Sequence, residues 1–296
     1  MRTPKVRGFT MHGPVKSLWN NLASVEAVIG TTPLGLLTDV DGTISEIAPS
    51  PEKAAVAPET RRLLESFCRK VAVVAAVSGR SAQDAQKMVG VEGMVYFGNH
   101  GLESRKGKHT RVALKGARKA RQDISEALQE LRQSLHNVPG LIFENKGLSA
   151  SIHYRLSPEP ETIAKRLLEE AAYYALPRGL ESRIGKMVVE IRPRVASKGS
   201  VVKRLVRRFR LGGAIYFGDD DTDVEAFQAI HSLVKRKGFL GLTVAVLSTE
   251  IHERVLPTAD FYLDGVADVV QFLKWLDDRL TEPVTAGPPF DDKASG

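Results

Sequence analysis

Four apolar runs in this chain end abruptly in polar clusters, and that recurrence constrains the fold more than any other feature. Leu36-Leu37-Thr38 leads into Asp39-Val40-Asp41-Gly42-Thr43, and Val71 to Val77 into Ser78-Gly79-Arg80. Met94 to Phe97 leads into Gly98-Asn99-His100-Gly101, and Ala214 to Phe217 into Gly218-Asp219-Asp220-Asp221-Thr222-Asp223. Short continuous apolar runs bounded by turn residues read as strands buried on both faces, the habit of parallel sheets covered by helices. Helical patterns separate them, from Pro58 to about Lys70, Ala82 to Met88, Lys198 to Phe209 and Val224 to Ile230. The fold class is therefore α/β, with a Rossmann-like parallel sheet. Ligands of such sheets sit outside the carboxyl ends of the strands, so the four polar clusters should converge.

Taken singly, each cluster has a simpler reading. Asp41-Gly42 is also a common turn signal, and Asp219 to Asp223 could merely cap the helix that follows. Together they gather three or more carboxylates at one sheet edge, which is costly without a cation. Hard oxygen ligands with no histidine or thiol cluster point to Mg²⁺, with phosphate oxygens and waters completing its shell. Cys68 is the only cysteine, so an internal disulfide is excluded. It falls on the apolar stripe Leu63, Leu64, Phe67 and reads as a packed thiol.

Between Arg111 and Arg192 the rhythm changes. A long helical pattern (Ile124, Leu128, Leu131, Leu135) precedes strands at Leu141-Ile142-Phe143 and Leu148 to Leu156. A helix from Pro160 to Tyr173 then precedes strands at Leu180 to Ile184 and Met187 to Ile191. Helix, two strands, helix, two strands makes a compact α+β unit inserted into the sheet domain. Strands at Thr243 to Leu247 and Phe261 to Leu263 and a helix from about Ala267 to Leu280 close the fold. The division is an N-terminal extension (1–32, with one short helix around Val15 to Val28), a core (33–111 and 193–280), an α+β cap (112–192) and a disordered tail (281–296).

The net charge of +7 raises nucleic-acid binding. Lys203, Arg204, Arg207, Arg208 and Arg210 alternate with Val201, Val202, Leu205, Val206 and Phe209 at helical spacing, which describes a solvated basic face over an apolar one. With no zinc-finger spacing or aromatic-basic motif, no nucleic-acid partner is expected. No run of about 18 uncharged apolar residues occurs, so no membrane span is expected. Met1 to Lys16 is basic without an apolar signal core, and a cytoplasmic location is expected.

With these motifs in order, the sequence resembles a phosphatase of the haloacid dehalogenase superfamily. Its four motifs match Asp39-Val40-Asp41-Gly42-Thr43, Ser78, Lys198 and Gly218-Asp219-Asp220-Asp221-Thr222-Asp223. Within it the likeness is to trehalose-phosphate phosphatases. Gly98-Asn99-His100-Gly101-Leu102-Glu103, Glu144-Asn145-Lys146-Gly147, His153-Tyr154-Arg155 and Gly185-Lys186-Met187-Val188-Val189-Glu190 carry it, over roughly Leu34 to Leu280. Val40 stands where an aromatic is frequent in the family, and Val224 where an acid often follows Thr-Asp.

The resemblance implies Mg²⁺-dependent hydrolysis of trehalose 6-phosphate through an aspartyl-phosphate. Asp39 is the implied nucleophile and Asp41 the acid and base, while Ser78 and Lys198 hold the phosphoryl oxygens. The side chains of Asp39, Asp219 and Asp223 and the backbone carbonyl of Asp41 are the implied metal ligands. Asp220 would contribute through water, and Asp221 is expected to be exposed. Gly79, Arg80, Asn99 and His100 are expected to line the substrate site. Period-two alternation puts Lys186, Val188 and Glu190 on one cap face and Met187, Val189 and Ile191 on the other; Ser151, His153 and Arg155 likewise oppose Ala150, Ile152 and Tyr154. From pattern alone the charged side faces solvent. The resemblance instead turns Glu144, Lys146, Arg155, Lys186 and Glu190 toward the core to grip sugar hydroxyls. The expected partner is a small-molecule sugar phosphate, with a functional link to a trehalose-phosphate synthase. Other sugar phosphates (glucosylglycerol, mannosylglycerate or sucrose phosphate) and a non-catalytic binding subunit are the alternatives.

Overall fold

The structure is a computed structural model that describes residues 15–48, 51–236, 238–248 and 253–280. The tail from Thr281 and its expected disorder lie outside them. The larger sheet has nine strands in the order β1 (Lys16–Ser17), β13 (Phe261–Leu263), β12 (Leu240–Val246), β11 (Gly213–Gly218), β2 (Leu34–Thr38), β3 (Val73–Val77), β4 (Val95–Gly98), β5 (Glu103–Lys106) and β6 (His109–Val112). Pairing is parallel from β1 through β4, and antiparallel only where β5 and β6 extend the edge.

Alternation along these strands sorts two cores. Leu36, Val74, Tyr96, Ile215, Phe217 and Val244 pack on one face against α1 (Leu22–Ile29), α2 (Pro58–Lys70), α3 (Ala82–Val89) and α9 (Gly265–Arg279), through side chains such as Val25, Phe67, Met88 and Phe272. Leu37, Ala75, Phe97, Tyr216 and Ala245 pack on the other against α6 (Lys198–Phe209) and α7 (Asp221–Val234), through Val202, Leu205, Phe227 and Ile230. Burial on both faces is why these runs are largely apolar. The basic face of α6 is exposed at Lys203, Arg207 and Arg210, and Arg204 lies 4.8 Å over the ring of Phe97. Cys68 packs against the first core, and burial pushes its thiol up to about 11.

Two expectations need correction, and one element is added. The helix anticipated over Val15 to Val28 begins only at Leu22, because Lys16–Ser17 instead pairs with Phe261–Tyr262 and a 3-10 turn follows at Leu18–Asn21. This segment seats Leu18, Val25 and Val28 in the main core. The β5–β6 hairpin was not anticipated. Helix α7 begins at Asp221 rather than Val224, since Asp220 and Asp223 form a capping box there.

The inserted unit holds α4 (Ala117–Ser134), β7 (Ile142–Asn145), β8 (Ala150–His153), α5 (Pro160–Ala175), β9 (Leu180–Gly185) and β10 (Val188–Pro193). Its strands form an antiparallel sheet in the order β7-β8-β10-β9. Ile124, Leu128, Leu131, Leu167 and Ala171 of the helices close over Ala150, Ile152, Val189 and Ile191. The helices cover one face only, and the other face meets the ends of the core strands. No helix among the described residues is long and apolar enough to cross a membrane.

Candidate active site

Sheet register brings the acidic clusters together. Thr38 on β2 pairs with Phe217 on β11, and the Asp39 amide donates to the Phe217 carbonyl at 2.9 Å. Asp39 and Asp219 therefore leave adjacent strands side by side. Gly42 makes the turn possible: its φ is +83°, and a Cβ there would sit 2.1 Å from the Asp219 carboxylate. Asp39, Asp219 and Asp223 are all buried, and one oxygen from each lies within 4.8 Å of the others.

Lys198, at the start of α6, places its ammonium 3.0 Å from Asp39 and 2.8 Å from Asp223. Burial disfavours its charge, but Asp223 and Asp39 more than offset this and hold the pKa above its ordinary value. It is 1% exposed, which removes the alternative of a solvated lysine in a first helical turn. Asp223 accepts from Lys198 and from the Tyr216 hydroxyl (2.7 Å) on one oxygen, and from the amides of Asp219 and Asp220 on the other. These four bonds fill its acceptor places. Asp39 and Asp219 retain free lone pairs. Asp219 takes a hydrogen bond from Thr43 at 2.8 Å and an ion pair from Lys186.

The electrostatics suit a bound cation. Burial raises the Asp39 pKa well above its usual value; Lys198 opposes this, and Asp223, Asp219 and Asp41 push it further up. Burial likewise raises Asp219 to about 6, against the pull of Lys186. A divalent ion beside these oxygens would reverse the strain, and an all-oxygen donor set suits Mg²⁺. The residues present therefore fit such an ion.

Around this cluster lies one pocket, walled on the core side by Asp39, Asp41, Ser78, Gly79, Arg80, His100, Lys198 and Asp219 to Thr222. Glu144, Lys146, Ser151, His153, Arg155, Lys186, Val188 and Glu190 wall it on the cap side. Alternation is thus legible: Ser151, His153, Arg155 and Glu190 face the pocket while Ile152, Val189 and Ile191 are in the cap core. Asp41 is gripped by Arg80 through two bonds of 2.7 Å, so Arg80 meets an acid rather than standing free in the pocket. The His100 ring packs on Gly79, where a Cβ would come within 2.9 Å of it, and Nε2 lies 2.6 Å from Glu190. Burial lowers the His100 pKa despite Glu190. Glu190 is held below the usual carboxylate range, because His100, Lys146 and Arg192 outweigh its burial. Glu144 is held low chiefly by the His153 hydrogen bond at 2.9 Å and by Lys146, again against burial.

Some expected site residues sit elsewhere. Asn99 is fully buried off the pocket wall, with its amide taken up by Glu103 (3.0 Å) and the Lys146 carbonyl (3.4 Å) and its oxygen accepting from Ser149 (2.7 Å). It ties the core to the cap loop. Lys186 is not a strand residue: it occupies the turn that joins paired Gly185 and Val188, and this projection carries its ammonium past the cap wall of the pocket to Asp219. Met187, in the same turn, packs against the cap core, where alternation assigns it, and also lines the pocket. Asp221 is half-buried beside Arg254 (2.9 Å) rather than exposed.

Tyr216, Thr43 and His153 were not singled out as site residues. Tyr216 reads as one more core position of its strand, and only the fold shows its hydroxyl on Asp223. Burial first, then Asp223 and Asp39, raise its pKa, so it stays a donor. Tyr216→Phe should lower kcat by roughly ten- to a hundredfold, as for loss of one hydrogen bond to a charged group, with KM unchanged. Steady-state kinetics check this, and a rise in KM at constant kcat would place Tyr216 outside the chemical step.

Residues 37–265 match the family described as trehalose-phosphatase. A Mycobacterium tuberculosis protein named as an uncharacterized glycosyl hydrolase is 33% identical over 271 residues, which cover 85% of this chain and 19% of that protein. A trehalose-phosphate phosphatase of the same organism is 31% identical over 262 residues, covering 84% of this chain and 62% of its own length. The chain thus spans from about a fifth to about three fifths of these relatives. The solved C-terminal domain of Candida albicans trehalose-6-phosphate phosphatase shares the fold, with a TM-score of 0.75 at 20% identity over 90% of this chain and 99% of that one.

Proposed function

The chain belongs to the trehalose-phosphatase family of the haloacid dehalogenase superfamily, and from that premise we propose that it hydrolyses trehalose 6-phosphate to trehalose and phosphate with Mg²⁺ bound. The observation that carries the proposal is the buried Asp39, Asp219 and Asp223 cluster with Lys198, opening on a pocket whose far wall is the charged face of the cap sheet.

In this reading the Asp39 carboxylate attacks phosphorus while the bond from phosphorus to the sugar oxygen breaks. Asp41 gives that oxygen its proton as trehalose leaves. Water then attacks the aspartyl-phosphate, Asp41 takes its proton, and phosphate departs with Asp39 restored. For Asp41 to reach the leaving oxygen it must loosen from Arg80, whose guanidinium is then free for the incoming phosphate. Lys198 and the Ser78 hydroxyl hold the equatorial oxygens, where negative charge is greatest in transfer. Asp39 and Asp219 would hold the ion directly, with the Asp41 carbonyl, and Asp223 through charge or water. When bound, the ion offsets the repulsion between an anionic nucleophile and an anionic ester and keeps Asp39 ionised.

Sugar choice falls to the cap. Glu144, Lys146, Arg155 and Glu190 alternate carboxylates that accept with cations that donate, and among the described residues no Phe, Tyr or Trp lines the pocket. Such a wall suits a polyol recognised through its hydroxyls. A functional link to a trehalose-phosphate synthase belongs to the same reading, as the source of the substrate. Phosphate release from a panel of sugar phosphates, run in a chelator and with Mg²⁺ restored, tests it. Turnover of trehalose 6-phosphate should vanish in chelator and return with Mg²⁺. Turnover of only a glucosylglycerol, mannosylglycerate or sucrose phosphate overturns the substrate, and silence on all of them overturns the enzyme.

A further inference from the structure

Behind the pocket, a second set of charges joins the cap to the core. Glu225 lies on α7, two residues past Asp223, and does not line the pocket. Two cap arginines meet it: Arg183 Nη1 at 3.0 Å and Arg192 Nη2 at 3.6 Å from the same oxygen. Both also share one oxygen of Glu181, at 2.9 and 3.1 Å from their Nε atoms. Arg192 Nη1 points toward Glu190, 3.9 Å away.

Sheet geometry explains the grouping. Glu190 pairs with Arg183 and Arg192 with Glu181 across β10 and β9, so the four side chains form a checkerboard on the core-facing side. Counting Lys146, 3.5 Å from Glu190, this patch holds three cations and two anions, and Glu225 of the core supplies the third anion. Arg192 is fully buried, yet its two terminal nitrogens stand beyond hydrogen-bond range of their carboxylates. A buried guanidinium so loosely held is costly and takes its position from whichever carboxylates surround it. Removing Glu225 would leave it drawn to Glu190, in competition with His100 and with sugar hydroxyls.

Two further ion pairs between cap and core, Lys186 with Asp219 and His100 with Glu190, involve groups that ion and sugar must engage in the reading above. Glu225 itself stays off the pocket, although its partner Arg183 lines it. We propose that Glu225 anchors an ionic latch that keeps the cap closed and, through Arg192, holds Glu190 in its sugar-facing orientation. Glu225 is a positioning residue, and only its kinetic consequence rests on the sugar-phosphate reading above.

Glu225→Gln keeps the shape and removes the charge. In the substrate-free protein, amide hydrogen exchange over residues 180–192 should quicken on the order of tenfold, with exchange in β2 and β3 unchanged. KM for trehalose 6-phosphate should rise on the order of tenfold at nearly constant kcat, turnover of a small aryl phosphate should hold, and Glu225→Asp should recover part of the loss. Arg183→Gln combined with Glu225→Gln should quicken exchange less than the sum of the two alone. Unchanged exchange at 180–192, or a rise spread evenly through the core, overturns the latch. Equal losses on both phosphates overturn the link to Glu190. If trehalose 6-phosphate is not turned over at all, the exchange measurements still decide the latch, so the two readings fail separately.

Discussion

Asp39→Asn should abolish turnover, by on the order of 10⁴-fold or more, and should at the same time make the ion-free protein more stable. The amide is nearly isosteric, and the backbone bond from Asp39 to Phe217 is untouched, so the fold has no reason to change. What changes is the chemistry: a neutral amide oxygen cannot form the aspartyl-phosphate that the proposed route requires. The stability gain follows from the sign of the pKa shift. A carboxyl whose folded pKa lies above its unfolded one binds its proton more tightly in the folded chain, so ionising it destabilises. Asp39 is such a group, chiefly through burial and then through Asp223, Asp219 and Asp41. The cost is absent below the unfolded value near 3.8 and grows as pH rises through the raised folded value. Thermal unfolding in chelator at neutral pH should therefore give the variant the higher midpoint. Retained turnover removes Asp39 as nucleophile, and a lower midpoint removes the picture of a cluster short of positive charge.

How much of this was legible in the sequence depends on where each signal resides. The four strand ends converge as their composition implied, because burial on both faces leaves an apolar run that can be read locally. Helix α6 and strand β13 fall within the residues read for them, since the amphipathic stripe of one and the flanking turns of the other are local too. The hairpin β5–β6 was invisible for the opposite reason. Its outer strand, His109 to Val112, is exposed throughout and follows no apolar alternation. Likewise Lys16–Ser17 becomes a strand only because Phe261 and Tyr262 lie beside it, some 245 residues away. At the site, residue types announced the acids and Lys198 but not their partners. A tyrosine inside Ala-Ile-Tyr-Phe looks like core, and periodicity continued through Lys186 and Met187 because a tight turn between two strands leaves little compositional trace. Glu225 carried no signal, since its role exists only across the join between cap and core.

Glu190 should separate sugar recognition from phosphate chemistry more sharply than any other residue. It is buried on β10 between His100 of the core and Lys146 and Arg192 of the cap, and it faces the pocket. Glu190→Gln keeps its volume, but replaces a carboxylate that accepts from paired hydroxyls with an amide that is half donor. A site built to bond particular hydroxyls discriminates by about 10⁴-fold when that pairing is lost, so kcat/KM for trehalose 6-phosphate should fall by about 10²- to 10⁴-fold. A small aryl phosphate reaches only Asp39, Asp41, Ser78 and Lys198 and should lose no more than a few-fold. Stability should fall as well, because Arg192 and Lys146 lose a buried counter-charge, a loss that costs about 3–5 kcal/mol when a buried pair is broken. Here the sign is opposite to that of Asp39. The folded pKa of Glu190 is depressed, so its contribution is fully present above the unfolded value of about 4.5 and disappears as pH falls through the lower folded value. The gap in unfolding midpoint between wild type and variant should therefore be wide at neutral pH and close on acidification below pH 4.5. Equal kinetic losses on the disaccharide and aryl phosphates would move Glu190 into the phosphoryl-transfer chemistry, and a gap that persists unchanged into acid would show that its charge does not hold the cap.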